Sequence, residues 1–250
     1  MTHFVDHGGD GPAVVLLHSF LMDGDMFAPQ VAALGDAFRL VTVDIRGHGR
    51  TPVDGPFSYW DVADDVLAVL DRLGIDQFAA VGTSQGGFVA LRLALTAPER
   101  VTAIAVLGSS AAAEDPQVAE AYRGLGTLWA TQGPTDQLLD MVATICIGAM
   151  DSSAWRIKLR ALPIARVHVL LNVLVDRDGV LDRLGEISCP ALVLHGSADA
   201  AYPVARAEEI AAAVPKAEPV VLVEGGAHFL SLTNPDEVNP PLRTFLTANA

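Results

Sequence analysis

The sequence predicts an α/β fold, with a mostly parallel central sheet of seven or eight strands and helices on both of its faces. Short runs rich in Val, Leu, Ile and Ala alternate with longer stretches of helical periodicity along most of the chain. Each run is almost continuously apolar, as expected for a strand that is buried on both faces of a parallel sheet. Hydrophobic residues make up 51% of the 250 residues, and the mean hydropathy is +0.36, so the chain has enough apolar material for a large core.

Six apolar runs are predicted to be core strands, and a short N-terminal run, His3–Asp6, is a candidate edge strand. In chain order the six are Ala13–Leu17, Arg39–Val43, Gln77–Gly82, Val101–Leu107, Ala191–His195 and Pro219–Val223. The helices predicted between them are Met26–Leu34, Trp60–Leu73, Gly86–Ala97 and Arg206–Val214. This regular alternation, with short Gly, Asp and Pro connectors, is typical of an open sheet covered by helices on both sides.

One long segment interrupts the alternation. From residue 111 to residue 184 no strand-like run occurs, whereas helical periodicity does, and Gly133-Pro134 and Pro163 divide it into short helices. The expected helices are Val118–Trp129, Thr135–Ile147, Ser153–Arg160 and Ala165–Leu174. We therefore expect a core domain formed by residues 1–110 and 185–250, and a helical cap formed by residues 111–184 that lies over the strand ends.

The charge and cysteine content argue against several classes of partner. Sixteen Lys and Arg against thirty Asp and Glu give a formal net charge of −14. Such a chain repels phosphate backbones and anionic lipid surfaces, so neither nucleic acid nor a membrane is an expected partner. Cys146 and Cys189 form neither a disulfide framework nor a metal-ligand pattern. The N-terminus lacks a basic leader and no apolar stretch reaches the ~18 residues that span a bilayer, so we expect a cytoplasmic globular protein.

The segment from Gly82 to Gly87, Gly-Thr-Ser-Gln-Gly-Gly, is the strongest candidate functional motif. It lies between a predicted buried strand and a predicted helix, which is the context in which Gly-x-Ser-x-Gly forms a nucleophile elbow. The sharp turn leaves no room for a bulky Cβ at Gly82 or Gly86, and the free N–H groups of the helix would face a developing anion. Ser84 is therefore the candidate nucleophile. The alternative is a glycine-rich turn with an incidental serine.

A serine nucleophile needs a general base and a carboxylate that orients the base. His228 lies just beyond the last predicted strand, and Asp199 lies just beyond the preceding strand. Taken alone, each has an ordinary alternative, a surface-loop histidine and a turn or N-cap aspartate. The order Ser84, Asp199, His228, each after its own strand, is however the chain order of the α/β-hydrolase triad. Asp176 and Asp178 are rival acids, which we interpret instead as N-caps of the next helix.

Two backbone N–H groups, those of Phe20 and Gln85, are predicted to form the oxyanion hole. Gln85 follows the candidate nucleophile, and Phe20 lies in the loop after the strand Ala13–Leu17, where this fold places its second oxyanion donor. The candidate pocket residues lie beside these positions or in the predicted cap: Leu21, Trp129, Trp155 and Phe229. The glycine-rich loop of residues 44–51 is interpreted as a structural turn.

Over essentially its whole length the chain resembles the α/β-hydrolase superfamily. The motifs that carry the resemblance are His18-Ser19-Phe20, Asp44-x-Arg46-Gly47-His48-Gly49, Gly82-x-Ser84-x-Gly86-Gly87, His195-Gly196-x-x-Asp199 and Gly226-x-His228. Within the superfamily, residues 23–30 and 98–101 are similar to bacterial 3-oxoadipate enol-lactonases and related esterases. The resemblance implies an eight-stranded sheet, a cap inserted after the sixth strand (Val101–Leu107 in the family's count), and neither cofactor nor metal.

The chain departs from the family pattern at two places. Ser19 occupies a position at which the family usually has Gly, and this difference affects the predicted oxyanion loop. In addition, His3–Asp6 resembles the family's second strand, so the first edge strand is expected to be missing.

These observations together predict a serine hydrolase that cleaves a carboxylic ester or lactone of a small to medium, mostly apolar substrate through an acyl-enzyme. One alternative is other chemistry on the same triad, namely thioester cleavage, C–C bond hydrolysis or perhydrolysis. Another is a ligand-binding sensor with a vestigially active triad.

The side chains of Arg156 and Arg160 share one helix face. If that face were turned toward the pocket, the two arginines would recognise an acidic lactone. We expect them to face solvent, which favours neutral substrates.

Overall fold

The computed structural model describes residues 1–250, and seven strands in it form one sheet. They are β1 (Phe4–Asp6), β2 (Ala13–Leu17), β3 (Arg39–Val43), β4 (Phe78–Thr83), β5 (Val101–Leu107), β6 (Ala191–Gly196) and β7 (Val221–Val223). Their spatial order is β1-β3-β2-β4-β5-β6-β7, with β1 antiparallel to β3 and every other neighbouring pair parallel. The predicted α/β-hydrolase fold is confirmed. The sheet has seven strands rather than the eight that the resemblance implies, because no strand precedes β1.

Ten α-helices connect or follow the strands. They are α1 (Ala28–Leu34), α2 (Tyr59–Arg72), α3 (Gln85–Thr96), α4 (Pro116–Gln132), α5 (Asp136–Ile147), α6 (Ser153–Ala161), α7 (Ile164–Val175), α8 (Ala205–Ala213), α9 (Leu230–Thr233) and α10 (Pro235–Asn249). The predicted helix Met26–Leu34 is divided, because a short 3-10 helix, Gly24–Phe27, precedes α1. None of these helices is both long enough and apolar enough to cross a membrane.

The sheet separates two apolar cores of similar size, one of 35 and one of 33 buried residues. Successive strand residues point to opposite faces, so Val15 and Leu17 of β2 join one core while Val14 and Leu16 join the other. All six residues of β4 are buried. Burial on both faces explains why strands β2 to β6 read as continuous apolar runs, whereas the edge strands β1 and β7 are partly exposed.

Helices α4 to α7, which we call the inserted helices, lie between β5 and β6 in chain order. Helix α4 packs against α7. The two ends of the insertion lie side by side, since the Val180 N–H donates to the Ala111 carbonyl at 2.7 Å. A buried ion pair reinforces this junction, with Arg177 Nη1 2.8 Å from Glu114 Oε2.

Candidate active site

The turn between β4 and α3 holds Ser84 in a left-handed backbone conformation, with φ 53° and ψ −115°. Leu21 is the one other non-glycine residue with positive φ. A Cβ on Gly82 would lie 2.1 Å from the Gly86 carbonyl oxygen, and one on Gly86 would lie 1.9 Å from the Leu17 carbonyl oxygen. Only glycine fits at both positions, as expected for a nucleophile elbow. A non-glycine residue held in such a conformation costs about 1–3 kcal/mol, and this strain is typical of functional sites.

The structure brings Ser84, His228 and Asp199 into one hydrogen-bonded chain. Nε2 of His228 lies 2.9 Å from Oγ of Ser84, and Nδ1 of His228 lies 2.8 Å from Oδ2 of Asp199. The other carboxylate oxygen of Asp199 accepts the N–H groups of Ala201 and Tyr202, at 2.8 and 2.9 Å. All three side chains of the chain are buried. This arrangement is the geometry that nucleophile activation by a general base requires.

Asp199 is held in its ionised form. Burial acts to raise the pKa of its carboxyl, but the hydrogen bond and charge of His228 and the two backbone N–H groups outweigh burial, so the pKa lies below its ordinary value of 3.8. An ionised Asp199 accepts the Nδ1 proton of His228, and the lone pair on Nε2 then faces the Ser84 hydroxyl. The rival acids lie elsewhere, since Asp176 binds Arg123 and Asp178 binds Arg92.

Acidification is expected to remove stability that ionised Asp199 contributes. Its pKa is lower in the folded protein than in the unfolded chain, so the contribution is complete above about pH 5 and is lost as the pH falls through about 4 and then through the folded-state pKa. Urea unfolding of the wild type and of Asp199→Asn checks this. The wild type should lose stability relative to the variant between about pH 5 and pH 2, and a constant difference would contradict the lowered pKa.

His195 is a buried neighbour of this chain to which the sequence analysis assigned no role. Its Nε2 lies 3.0 Å from the Tyr202 carbonyl oxygen and 3.3 Å from Oδ2 of Asp199. The Nε2–H of His195 donates to the Tyr202 carbonyl, so His195 holds the Tyr202 backbone, whose own N–H donates to Oδ1 of Asp199. The spacing of four residues between His195 and Asp199 in the sequence was the available signal for this contact.

The N–H groups of Phe20 and Gln85, the two predicted oxyanion donors, have no acceptor in the protein. Gln85 is the first residue of α3, a position without an acceptor inside the helix. Phe20 belongs to residues 18–23, which we call the donor loop. The Ser19 hydroxyl in this loop donates to the Thr83 carbonyl at 3.0 Å. The departure from glycine at Ser19 thus ties the donor loop to the strand that carries the nucleophile.

The side chain of Gln85 is held by a hydrogen-bond chain that the sequence analysis did not identify. The Gln85 amide donates to Nε2 of His48 at 3.3 Å and accepts the Tyr59 hydroxyl at 3.2 Å. Nδ1 of His48 donates to the Arg46 carbonyl at 3.0 Å. Burial, assisted by the nearby His18, lowers the pKa of His48 to about 3, so its ring stays neutral and accepts from Gln85. The loop of residues 44–51 therefore has a structural role, as expected, and it also supports a candidate oxyanion donor.

A small apolar cavity of about 60 Å³ lies beside Ser84 and His228. Of the predicted pocket residues, Leu21 and Phe229 line it, and no Asp, Glu, Lys or Arg does. The inserted helices supply further lining residues that the sequence analysis did not place there: Tyr122, Leu125, Val142, Cys146 and Leu171. Burial raises the pKa of the Cys146 thiol, which is therefore a neutral wall group and not a nucleophile.

Trp129 and Trp155 do not line this cavity. Trp129 is fully buried among the inserted helices, and its Nε1–H has no hydrogen-bond partner. The Nε1–H of Trp155 donates to the Leu21 carbonyl at 2.9 Å, and its ring centroid lies 6.0 Å from that of Phe229. Trp155 thus lies behind the pocket residues and not among them.

The arginines of α6 bind acidic residues of α5. Arg156 contacts Asp140 and Asp136, and Arg160 contacts Asp136. Neither arginine lines the cavity, and both form surface ion pairs, which agrees with the expectation that they face solvent. A larger cavity, of about 620 Å³, lies on the other side of the donor loop and shares Leu21 with the small one, but neither Ser84 nor His228 lines it.

Comparisons with known proteins agree with this geometry. Residues 12–140 match a family model described as alpha/beta hydrolase fold. A relative from Agrobacterium fabrum, named a carbamate hydrolase (RutD), is 30% identical over 259 residues, covering 98% of this chain and 97% of the relative. The enol-lactonase from Burkholderia xenovorans LB400 superposes with a TM-score of 0.89 at 27% identity, covering 98% of this chain and 96% of that one. A thermophilic esterase from Thermogutta terrifontis gives 0.87 at 26% identity, covering 99% and 93%.

Proposed function

The chain belongs to the alpha/beta hydrolase family, and from this premise we propose that it is a serine hydrolase that cleaves carboxylic esters or lactones. The observation that carries the proposal is the hydrogen-bonded chain from Asp199 through His228 to Ser84, at 2.8 and 2.9 Å. The similarity to an enol-lactonase and to an esterase, each over almost the whole chain, supports the same reaction class.

In the proposed mechanism the Ser84 hydroxyl attacks the carbonyl carbon while Nε2 of His228 takes its proton. Asp199 keeps the second ring proton on Nδ1 and stabilises the imidazolium that forms. When the tetrahedral intermediate collapses, the C–O bond to the leaving group breaks, and the imidazolium returns the proton to the leaving oxygen. Water then attacks the acyl-enzyme with His228 again as base, which releases the acid and restores the Ser84 hydroxyl.

We assign to the N–H groups of Phe20 and Gln85 the stabilisation of the negative charge that forms on the carbonyl oxygen. Both donors are backbone groups on elements fixed by other hydrogen bonds: the Ser19 hydroxyl ties one to β4, and the His48–Gln85–Tyr59 chain supports the other. Such preorganised donors stabilise the intermediate without reorganisation during the reaction.

We assign residues 111–184 as a cap domain over a core of residues 1–110 and 185–250. The support is the cavity, one wall of which comes from Tyr122, Leu125 and Val142 of the inserted helices while Ser84 and His228 form the other. The cap would then determine which acyl or ring groups fit, because it supplies an apolar wall that faces the nucleophile.

A neutral lactone is expected to be hydrolysed with at least about tenfold higher kcat/KM than a carboxylate-bearing lactone of similar size. The reason is that no charged side chain lines the cavity, and an unpaired carboxylate is costly to bury. Steady-state kinetics on a matched pair of lactones checks this. Arg156→Ala serves as the control and should leave the preference unchanged, since Arg156 binds Asp140. A preference for the acidic lactone that disappears in Arg156→Ala would contradict the assignment.

Carbamate cleavage is a second candidate, which rests on the name of the Agrobacterium fabrum relative. The same triad would attack a carbamate carbonyl, so the two candidates differ in substrate and not in machinery. A turnover screen over short aryl esters, lactones and matched aryl carbamates separates them, with Ser84→Ala as the blank. Faster turnover of the esters supports the proposal, and faster turnover of the carbamates supports the second candidate. A single burst followed by very slow turnover of every substrate would favour a sensor.

A further inference from the structure

Helix α6 contacts the donor loop directly behind the proposed oxyanion hole. The buried Nε1–H of Trp155 donates to the Leu21 carbonyl at 2.9 Å. Leu21 has φ 59°, a conformation that costs free energy for a residue with a side chain and needs support from its surroundings. The residue before it, Phe20, supplies one of the two proposed oxyanion donors. The hydrogen bond from Trp155 therefore supports the strained residue Leu21, which is adjacent to that donor.

The same face of α6 makes a second contact with this segment, one helical turn further along. Nζ of Lys158 lies 2.6 and 2.8 Å from the two carboxylate oxygens of Asp23, and 2.7 Å from Oδ2 of Asp25. Asp23 ends the donor loop and caps the following 3-10 helix. Trp155 and Lys158 thus hold the loop at two successive points.

The inserted helices also hold the loop that carries the catalytic base. The Phe229 N–H, next to His228, donates at 2.8 Å to the carbonyl of Cys146 near the end of α5. The Phe229 ring packs edge-on against Trp155, at 6.0 Å between centroids. The corner between α5 and α6 therefore contacts both catalytic loops of the core.

We propose that Trp155 is a positioning residue that sets the orientation of the Phe20 N–H in the oxyanion hole. This inference rests on the proposed function, because it assigns a role to the cap in the same reaction. Seating α6 on the core supplies the donor for the Leu21 carbonyl, so the hole is complete only while α6 is docked. The cap then controls the rate of acylation as well as the shape of the pocket.

Trp155→Phe tests this, since it removes the N–H while keeping a ring against Phe229. Loss of an entire oxyanion donor costs about 10²–10³ in kcat, so a displaced donor should lower kcat about tenfold. KM should stay within about twofold because Trp155 does not line the cavity. Trp129→Phe is the matched control, because it also removes a buried indole N–H of the inserted helices, but one that has no acceptor. Its kcat should equal that of the wild type.

An inhibitor pair separates positioning from packing. The Ser84 hydroxyl adds to the carbonyl carbon of a trifluoromethyl ketone and passes its proton to His228, which leaves an oxyanion on the inhibitor, so the affinity should fall in Trp155→Phe by the same factor as kcat. The corresponding secondary alcohol has no carbonyl and forms no oxyanion, so it should bind to Trp155→Phe as tightly as to the wild type. If Trp155→Phe does not fold, Lys158→Gln carries the test and should lower kcat about threefold with KM unchanged, as expected for a smaller displacement of the same loop.

The outcomes distinguish the inference from the proposed function. A wild type that shows no Ser84-dependent turnover would overturn both. Normal Ser84-dependent turnover with kcat of Trp155→Phe within twofold of the wild type, or with an equal loss in Trp129→Phe, would overturn the inference alone. An equal loss of affinity for both inhibitors would also overturn it, because that result indicates altered packing of the pocket.

Discussion

Ser84→Ala is expected to lower ester turnover by on the order of 10⁴-fold or more, because no other group in the cavity is placed to take the acyl group. The protein should remain folded, since the change removes one hydroxyl and keeps the Cβ that the elbow already accommodates. Initial rates with an aryl ester and thermal unfolding of both proteins check the two parts of the prediction. Residual activity within about tenfold of the wild type would remove Ser84 from the nucleophile role.

Asp199→Asn is expected to lower kcat by as much as ~10⁴, a value that matches the effect of the equivalent change in a serine-protease triad. The asparagine amide carries no charge to compensate the imidazolium. Where its NH2 group faces Nδ1 it donates, so the ring proton moves to Nε2, which then has no lone pair to accept the Ser84 proton. KM should change much less, because Asp199 does not line the cavity.

Asp176→Asn is the matched control for this prediction. Asp176 was a rival acid in the sequence, but it is largely exposed and binds Arg123, so its loss should leave kcat within about twofold of the wild type. A nearly silent Asp199→Asn together with an inactive Asp176→Asn would show that the acid is assigned to the wrong residue.

The core strands and the order of the triad could be predicted because both are local signals. A strand buried on both faces is a continuous apolar run, and each triad residue lies in the turn or loop that follows a strand. Helix α10 was not predicted, since Pro240 and Pro241 lie inside it and proline normally interrupts a helical pattern.

The contacts made by the cap could not be predicted in the same way. Trp155 and Leu21 are 134 residues apart in the sequence, and the hydrogen bond between them depends on where the fold places α6 on the core. From the sequence, an indole in an apolar helix is equally suited to line a pocket or to pack behind one. The position of Tyr122 and Cys146 at the cavity wall depends on where the fold places the inserted helices.

The central claim is that Ser84 carries the acyl group during turnover. Rapid acid quenching during the hydrolysis of an aryl butyrate, followed by digestion and mass spectrometry, tests it most directly. The account predicts a butyryl adduct on the peptide that contains Ser84, formed in step with the burst of phenol and missing in Ser84→Ala. Turnover at the wild-type rate with the adduct on another residue, or with Ser84→Ala fully active, would contradict it.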